Sequence, residues 1–441
     1  MITDAWPVTQ LQDRKTPRIL RLPHRAWIVA AVAFVTLIGA AGFRAVPSVL
    51  IDPLHDEFGW SRATIASAVS INLVLFGLFS PFAAALMDRL GMRRVVVGAL
   101  ILVSAGSGLT VFMRSSWQLL LCWGVLVGVG TGSMAMTFVA TVTSRWFVKH
   151  RGLVSGILTA AGATGQLIFL PLVAALATAH GWRTPALVVS GAALAVVPLV
   201  LLALRDYPAD VGTTAYGASA EDPGQPVGPT TGSSVARALR TLREATRTST
   251  FWLLAGGFAI CGMSTNGLVG THFITAAHDH GMPHTTAASL LAVVGIFDVA
   301  GTILSGYLTD RVDPRLLLGG YYTFRGLSLL ILPSLFAPDT QPSMWVFIIF
   351  YGLDWIATVP PTVALCRDRF GASGPIVFGW VFASHQLGAA IAAVGAGAIR
   401  DSLGDYRLAW YLAGGLCVLA ALMSISIRSV RSVRTTLETS R

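Results

Sequence analysis

Five ionisable side chains lie inside apolar runs long enough to cross a lipid bilayer: Arg44, Asp298, Arg325, Asp354 and His385. An ionised group in such a setting needs a partner or a function, because burying it alone is costly. Carboxylates can take up and release protons, and a guanidinium can hold a carboxylate through two parallel hydrogen bonds. These positions are therefore the first candidates for chemistry.

Three of these charges, Asp298, Arg325 and Asp354, lie about 15–20 Å from the charged ends of their runs if the runs are helical. At this similar depth we expect one buried cluster in which Arg325 compensates both aspartates. Two carboxylates against one guanidinium leave an excess carboxylate, which suits a proton-coupled carrier. The alternative is a static network solvated by water in a cavity.

Arg44 lies in the outer half of the first apolar run, at about the depth of Asn72 in the second. Neither residue has an obvious opposite charge nearby in the sequence. We predict that Arg44 binds the carboxylate of a small anion and that Asn72 contributes to the same site. The alternative is that Arg44 snorkels to the outer headgroups of the membrane.

The composition is that of a membrane protein. Of the 441 residues, 54% are hydrophobic and 12% charged, whereas soluble domains carry about a quarter charged residues. Twelve apolar runs can each cross the hydrocarbon core as a helix. Most of the 31 Lys and Arg residues lie at run ends on one side, which places both termini in the cytoplasm and argues against a nucleic-acid partner.

The twelve runs divide into two groups of six. We predict a cytoplasmic tail over 1–25, a six-helix bundle over 26–204, a cytoplasmic linker over 205–250, a second bundle over 251–428 and a cytoplasmic tail over 429–441. Within the linker, TTAYGASAEDPGQPVGPTTGSS is typical of a flexible tether. The next stretch, SVARALRTLREATR, can form an amphipathic helix on an anionic membrane surface, or remain a solvated tether.

No motif indicates a cofactor, a metal site or an enzyme. The four cysteines lie within or at the ends of apolar runs without paired spacing, so they resemble small hydrophobic residues. His278, His280 and His284 share a predicted outer loop, but a solvated loop is favoured because a fourth zinc ligand is missing. The short loops offer no catalytic constellation.

Two similar strings follow corresponding helices of the two halves, AALMDRLGMRR at 84–94 and GYLTDRVDPR at 306–315. Such an internal repeat, with polar residues at membrane depth, indicates an alternating-access carrier with its site between the halves. We expect Asp88 to face the N-terminal end of a helix from the opposite half and to hold the cytoplasmic side closed. The candidate gating residues are Asp88, Arg89, Gly91, Arg93, Arg94, Gly306, Asp310 and Arg311.

These strings resemble the signature of the major facilitator superfamily, roughly G-x-x-x-D-R-x-G-R-R, and the resemblance covers all the runs. It implies an all-α membrane protein with 12 transmembrane helices in two pseudo-symmetric six-helix bundles, the major facilitator fold. Within that superfamily, EFGWSRATIASAVSI at 57–71 and RWFVKHRGLVSGILTAAGATG at 145–165 resemble the monocarboxylate transporter and oxalate/formate exchanger branch. That branch places a basic residue in the part of helix 1 that holds Arg44.

The sequence departs from this branch at Thr302, where the branch uses an arginine four residues after the aspartate of helix 8. Exchangers of the branch bring charge from helix 11, so His385 and Gln386, with Trp380 nearby, are candidates for substrate contacts. A buried structural histidine is the alternative. The branch also implies that helix 9 is peripheral, so Arg325 is expected to be structural.

The resemblance and the buried charges together predict a monomeric secondary carrier that spans the plasma membrane many times, as in a bacterial inner membrane. We expect it to move a small organic anion, a monocarboxylate in the first instance, by proton symport or exchange. Efflux of a cationic or amphipathic drug is an alternative, because two buried aspartates would serve it. A membrane sensor that does not transport is a further alternative.

Overall fold

The computed structural model describes residues 24–219 and 232–428, without the side chains of 42–52, 62, 63, 66, 170, 174 and 284. The described backbone consists mainly of long helices that cross the molecule, named here α1 to α12. They are α1 Arg25–Phe58, α2 Arg62–Leu78 with Ser80–Leu90, α3 Met92–Leu109, α4 Ser116–Trp146, α5 Arg151–His180, α6 Arg183–Ala203, α7 Ser249–Asp279, α8 His284–Thr309, α9 Pro314–Ile331, α10 Pro342–Asp354 with Val359–Phe370, α11 Gly374–Leu403 and α12 Arg407–Ile425.

Length and apolarity qualify these helices as membrane spans. Among the described residues, nine helical stretches pass that test, or ten when the two bent parts of α2 count as one span. The number is below twelve because α10 and α11 form one stretch, Pro342–Leu403, and because only Arg25–Ala41 of α1 is both described and apolar. The predicted fold class, an all-α membrane protein of twelve transmembrane helices in two bundles, is confirmed.

Each bundle has its own core of large side chains. Phe138, Trp146 and Phe147 are fully buried in the first bundle, and Tyr322 and Trp410 in the second. The bundles meet where α5 packs on α8 and where α2 packs on α11. We call the side of the molecule that carries the 205–250 segment the linker face, and the other side the opposite face.

Helices α2, α4 and α10 are interrupted. The two parts of α2 meet at 52° beside Pro81, and α4 contains a π-helical stretch, Leu120–Val127, before it breaks at Met134. Helix α10 breaks between Asp354 and Val359. A proline lacks the N–H that a helix interior needs, so the prolines that follow the bend in α2 and the break in α10 start new helical segments.

The part of the linker that follows α6 is folded, contrary to the predicted flexible tether. Tyr216 donates its N–H to the carbonyl of Trp146 at 2.8 Å and accepts from the N–H of Val148 at 2.8 Å. Its ring packs edge to face on Trp27 and lies 6.0 Å from that of Phe147. The tether prediction is therefore wrong for 213–219.

The helix predicted in the linker is present as Ser234–Ala245, called the linker helix below. Its N-terminal Ser233 accepts from the N–H of Ala236 at 3.4 Å, as an N-cap serine does. Between the folded start of the linker and this helix, residues 220–231 lie outside the described chain, as do the predicted tails up to 23 and from 429.

Candidate substrate cavity and gate

A cavity of about 890 Å³ lies between the two bundles. Its walls come from α2, α4, α5, α7, α10 and α11. On α2 the lining begins at Ala68, near the opposite face, and ends at Leu78, beside the bend. On α11 it runs from Trp380 to Val394. The cavity therefore extends toward the opposite face and stops before it reaches the linker face.

The structure places four predicted site residues at this cavity: Asn72, Trp380, His385 and Gln386. Asn72 donates to the carbonyl of Trp123 at 3.0 Å, which fixes its amide within the first bundle. The His385 ring lies 5.0 Å from the ring of Phe258 and is 8% exposed as a residue. Both halves thus contribute polar groups to one space.

Trp380 and Gln386 also lie at the end of the cavity nearest the linker face, which we call the cavity floor. The indole N–H of Trp380 donates to the carbonyl of Ala238 in the linker helix at 3.1 Å, so its polar atom is directed away from a substrate. The stem of Gln386 packs so closely on Gly77 of α2 that a Cβ there would come within 2.7 Å of it. Gln386 therefore joins the two bundles beneath the cavity.

Several polar lining residues were not singled out from the sequence. They are Ser70, Thr131, Gln166, Thr265, Asn266, Thr271, Thr358 and Ser384. Gln166 and Asn266 are amides within long apolar runs, and Asn266 belongs to a π-helical stretch of α7, Met263–Val269. An amide at membrane depth was an available signal, because uncharged polar groups in spans also need partners. A π-helical stretch inside a helix is common at functional sites.

The described wall of the cavity contains no Asp, Glu, Lys or Arg. The polar groups of the described wall include hydroxyls, amides and the imidazole of His385. The backbone at position 44 belongs to α1, but the side chain of Arg44 lies outside the described residues. Its predicted role in anion binding stays a prediction.

The break in α10 explains why a carboxylate, Asp298, lies in the middle of the apolar helix α8. Its carboxylate oxygen Oδ1 accepts from the N–H of Ile356 at 3.0 Å, a donor that the break removes from the helical pattern. The same atom accepts from the hydroxyl of Thr302 at 2.9 Å, one turn further along α8. Asp298 is 2% exposed. A carboxylate in the middle of an apolar helix therefore caps a backbone group that lipid cannot satisfy.

Arg325 satisfies the carbonyl groups of the same break. It pairs with the carboxylate of Asp354 at 2.5 Å and donates to the carbonyl of Asp354 at 2.6 Å. It also donates to the carbonyl of Trp355 at 3.2 Å and to the sulfur of Cys261 in α7 at 2.9 Å. The hydroxyl of Ser305 donates to the carbonyl of Ala357. Four helices are thereby joined around the break.

The predicted cluster is corrected in one respect. Arg325 and Asp354 do form a buried pair, and Asp298 lies at the same break, but Asp298 bonds to α8 and α10 and not to Arg325. Thr302, which stands where the family branch has an arginine, supplies the hydroxyl that Asp298 binds. Sequence spacing gave the common depth of these residues but could not give the break that they surround.

On the linker face Asp310 of the second bundle contacts the first bundle, and we name this contact the gate. Its carboxylate accepts from the N–H groups of Gly152 at 2.7 Å and Leu153 at 2.9 Å, in the first turn of α5. The N-cap residue of that helix, His150, makes no side-chain cap hydrogen bond. A carboxylate from the second bundle thus caps a helix of the first, where unpaired N–H groups and the helix dipole favour negative charge.

Glycines let the bundles approach at this gate. A Cβ on Gly306 of α8 would lie 2.4 Å from the carbonyl oxygen of Gly152 in α5, and one on Gly156 would lie 2.6 Å from the carbonyl oxygen of Thr302. Between α2 and α11, a Cβ on Gly379 would lie 2.6 Å from the Cα of Pro81. These contacts close the molecule between the cavity floor and the linker face.

Asp88 does not make the contact predicted for it. Its two oxygens bind the guanidinium of Arg145 at 2.7 Å and that of Arg237 at 3.1 Å. Arg145 belongs to the same bundle, and Arg237 to the linker helix. The predicted cap on a helix of the opposite half is found instead at Asp310, in the second copy of the repeated string.

The other members of the first string support the local fold. Gly91 has φ +90°, and a Cβ there would collide with the carboxylate of Asp206. That carboxylate accepts from the backbone N–H of Arg93 at 2.7 Å. Arg89 and Arg94 are exposed. In the second string, Arg311 stacks on the ring of Tyr307, 3.5 Å from its centroid, and so stays on its own helix.

Residues 32–375 match the sequence profile described as Major Facilitator Superfamily. The chain belongs to the major facilitator superfamily. Relatives include an uncharacterized MFS-type transporter of Bacillus subtilis, YcxA, 26% identical over 88% of this chain and 91% of that protein. Another is monocarboxylate transporter 13 of Rattus norvegicus, 27% identical over 91% of this chain and 88% of that protein.

Solved structures of the superfamily have the same fold. The fucose:proton symporter FucP of E. coli aligns with a TM-score of 0.68 at 15% identity, covering 91% of this chain and 98% of that one. The proton:xylose symporter XylE aligns with a TM-score of 0.68 at 14% identity, covering 91% and 96%. The family match and the relatives make the protein a multi-pass membrane transporter for a small molecule, and its family is not an enzyme family.

Loss of the Asp310 cap is expected to loosen the gate. In Asp310→Asn a neutral amide replaces the carboxylate that accepts from the N–H groups of Gly152 and Leu153. The contact is weaker, so the linker face should open more often. The reporter is Ser155→Cys, 2% exposed in the wild type and on the same side of α5 as Gly152. We expect its reaction with a maleimide to become several-fold faster.

The matched control for this experiment is Asp313→Asn. Asp313 lies three residues further along the same loop, but it pairs with Arg315 of its own bundle at 2.7 Å. The reporter should react at the wild-type rate in this variant. Equal rates in the Asp310 and Asp313 variants would show that Asp310 does not hold the gate.

Loss of the Arg325 side chain is expected to destabilise the fold. Arg325→Leu leaves the Asp354 carboxylate and the carbonyl of Trp355 buried without the donor that Arg325 supplies, and breaking a buried pair costs about 3–5 kcal/mol. The midpoint of thermal unfolding in detergent should fall clearly. Arg400→Leu, which breaks an exposed pair with Asp279, should leave the midpoint nearly unchanged. Similar midpoints for both variants would contradict the structural role of Arg325.

Proposed function

We propose that this transporter moves a small organic anion, most simply a monocarboxylate, across the plasma membrane with its linker face in the cytoplasm. The observation that carries the proposal is the cavity itself, whose described wall combines hydroxyl, amide and imidazole groups with aromatic rings and has no acidic residue. Such a wall would not repel an anion, because it carries no negative charge. Relatives named as monocarboxylate transporters align over about nine-tenths of the chain, which supports the same substrate class.

Arg44 is our candidate for the positive charge that an anion requires. A guanidinium presents two parallel donors to a carboxylate, and a low-dielectric cavity strengthens that pairing. His385, on the other bundle, is the candidate for a second contact, since it lines the cavity and an imidazole N–H can donate a hydrogen bond to a carboxylate. A substrate held between the two bundles would couple its binding to their relative movement.

Efflux of a cationic drug has less support. Its basis in the sequence was the pair of buried aspartates, Asp298 and Asp354, which could face a cation. Neither is among the described residues that line the cavity. One oxygen of each is bonded at the break in α10, to Ile356 and Thr302 in one case and to Arg325 in the other. The described cavity wall offers a cation aromatic rings but no carboxylate.

Proton coupling is assigned to Asp298 within this proposal. The break in α10 brings Trp355, Ile356 and Thr358 to the cavity wall, and Asp298 lies directly behind them. A change in its protonation would alter its bond to Ile356, and so would act on the wall that a substrate touches. Asp354 is the next candidate, because its oxygen Oδ1 has no hydrogen-bond partner among the described residues.

The substrate class is tested by a thermal-shift screen of the purified protein. Acetate, lactate, pyruvate and benzoate are compared with the amides of the same acids at two pH values. A true substrate stabilises the folded state by mass action, so one or more acids should raise the unfolding midpoint and their amides should not. Stabilisation by hydrophobic cations with no response to any acid would overturn the proposal in favour of drug efflux.

Asp298→Asn is expected to uncouple transport from the proton gradient. The amide retains one oxygen that can accept from Ile356 and Thr302, so the break stays capped, but an amide cannot take up a proton. In proteoliposomes, exchange of a labelled acid at equal pH should persist. Accumulation driven by an imposed pH gradient should be lost. Accumulation that persists in this variant would move the proton role away from Asp298.

Asp298→Ala separates capping from coupling. It removes the acceptor as well as the carboxylate and leaves the N–H of Ile356 without a partner, which costs about 1–3 kcal/mol. This variant should unfold at a lower temperature than Asp298→Asn. If both variants are equally stable, the bond to Ile356 does not support the break.

Arg44 is tested by comparing two substitutions. If its guanidinium holds a carboxylate at two points, Arg44→Lys should bind weakly through charge, while Arg44→Gln should lose about 1.5–3 kcal/mol of binding free energy. Affinity for the acid identified in the screen is measured on purified, folded variants. A snorkelling arginine predicts unchanged affinity in both, and wild-type affinity in Arg44→Gln would refute the assignment.

A further inference from the structure

The linker helix contacts both bundles at once on the linker face. Ala238 is fully buried against Ala84 and Ala85 of α2 and Ile376 of α11. Its carbonyl accepts from the indole of Trp380 in α11. The small side chain of Ala238 thus lies in the groove between the two helices whose close packing shuts the cavity floor.

The linker helix is fastened firmly to the second bundle. Three residues after its end, Thr248 caps α7 by accepting from the N–H of Phe251 at 3.3 Å. The indole of Trp252 in α7 donates to the carbonyl of Thr246 at 2.8 Å. Toward the first bundle, the sequence continues from the linker helix through residues 220–231, which lie outside the described residues. The short connection to α7 means that this helix moves with the second bundle.

The contacts with the first bundle are different in kind. They include the packing of Ala238 on Ala84 and Ala85, and the ion pair between Arg237 and Asp88. Asp88 keeps a second partner in its own bundle, Arg145. The first bundle therefore retains a bonded Asp88 when Arg237 leaves, so this contact can break without stranding a buried carboxylate.

When α2 separates from α11 at the linker face, the linker helix must lose its contacts with either the first or the second bundle. We infer that the linker helix is an arm of the second bundle that clamps the first bundle at Ala84, Ala85 and Asp88, and that the linker face opens only when this clamp releases. Asp88 then does engage the opposite half, through Arg237 of the arm and not through a helix N-terminus. The clamp sets the balance between the closed and open linker face without touching the substrate.

The outer side of the arm carries no part of this contact. Ala236, Arg240 and Arg243 are exposed on the linker helix, whereas Ala238, Thr241 and Ala245 are buried. Changes on the two sides of one short helix can therefore be compared directly. Helix propensity is the same for a given substitution on either side, so a difference between them reports the clamp.

The test uses one spin label at Leu90, the last residue of α2, and one at Ala372, just before α11. Both positions are exposed. The four native cysteines are buried, so introduced cysteines at these two positions are labelled selectively. In Ala238→Trp the indole cannot fit between α2 and α11, and the clamp should detach. Distances measured by pulsed electron resonance should then show an open population raised about tenfold over the parent protein, the size expected for losing a charged hydrogen bond and its packing.

Ala236→Trp is the matched control, because it places the same side chain on the exposed side of the arm. Its distance distribution should equal that of the parent. The same distribution in Ala238→Trp and the parent, or an equal shift in both variants, would overturn the inference. The experiment needs no substrate, so it stands or fails independently of the proposed anion.

A gentler pair of variants covers the case in which Ala238→Trp does not fold. Arg237→Gln removes the cation that binds Asp88, while Arg240→Gln removes an exposed arginine of the same helix. At low salt, Arg237→Gln should raise the open population several-fold over that of Arg240→Gln. High salt screens the Arg237–Asp88 pair that Arg240→Gln retains, so the difference between the two variants should shrink. Equal open populations in the two variants at low salt would overturn the clamp.

Discussion

Backbone N–H and C=O groups inside a lipid bilayer must find partners within the protein, and this constraint accounts for the charges of the second bundle. Helix α10 breaks beside the cavity, which frees the N–H of Ile356 and the carbonyls of Asp354, Trp355 and Ala357 from the helical pattern. Each is met by a side chain from a neighbouring helix. The break and the buried charges therefore depend on one another.

The same constraint operates at the gate, but there the partner is reversible. The first N–H groups of α5 bind Asp310 while the linker face is closed, and water can replace that carboxylate when the face opens. The first string is built differently, since Asp88 binds two arginines, one of which arrives on the linker helix. Two copies of one sequence pattern thus hold the bundles together through a helix end in one case and an ion pair in the other.

Much of this architecture could be predicted from the sequence, and the failures have physical causes. Apolar runs predict the spans because the length of a helix that crosses lipid is fixed, and the two strings predict the gate because they recur at equivalent positions. Partners could not be predicted: Asp298 and Arg325 lie at one depth, but depth does not say which backbone groups face them. The break had a signal in Pro360 and Pro361, since proline cannot continue a helix interior. Tyr216 lay in a stretch whose composition is typical of a tether, and its aromatic contacts with Trp27 and Phe147 override that composition.

The position of the break links the cavity to the gate. On its cavity side lie Trp355 and Ile356, and beyond it the segment Val359–Phe370 packs on α5 and α11, the two helices that the gate closes. A segment that begins at a break can tilt with little loss of helical hydrogen bonds, provided that the capping side chains remain attached. Asp298 binds from α8, the helix that also carries Asp310 at its end. A change at Asp298 would therefore reach the gate along two connected elements, α8 itself and the second segment of α10, both of which pack on α5.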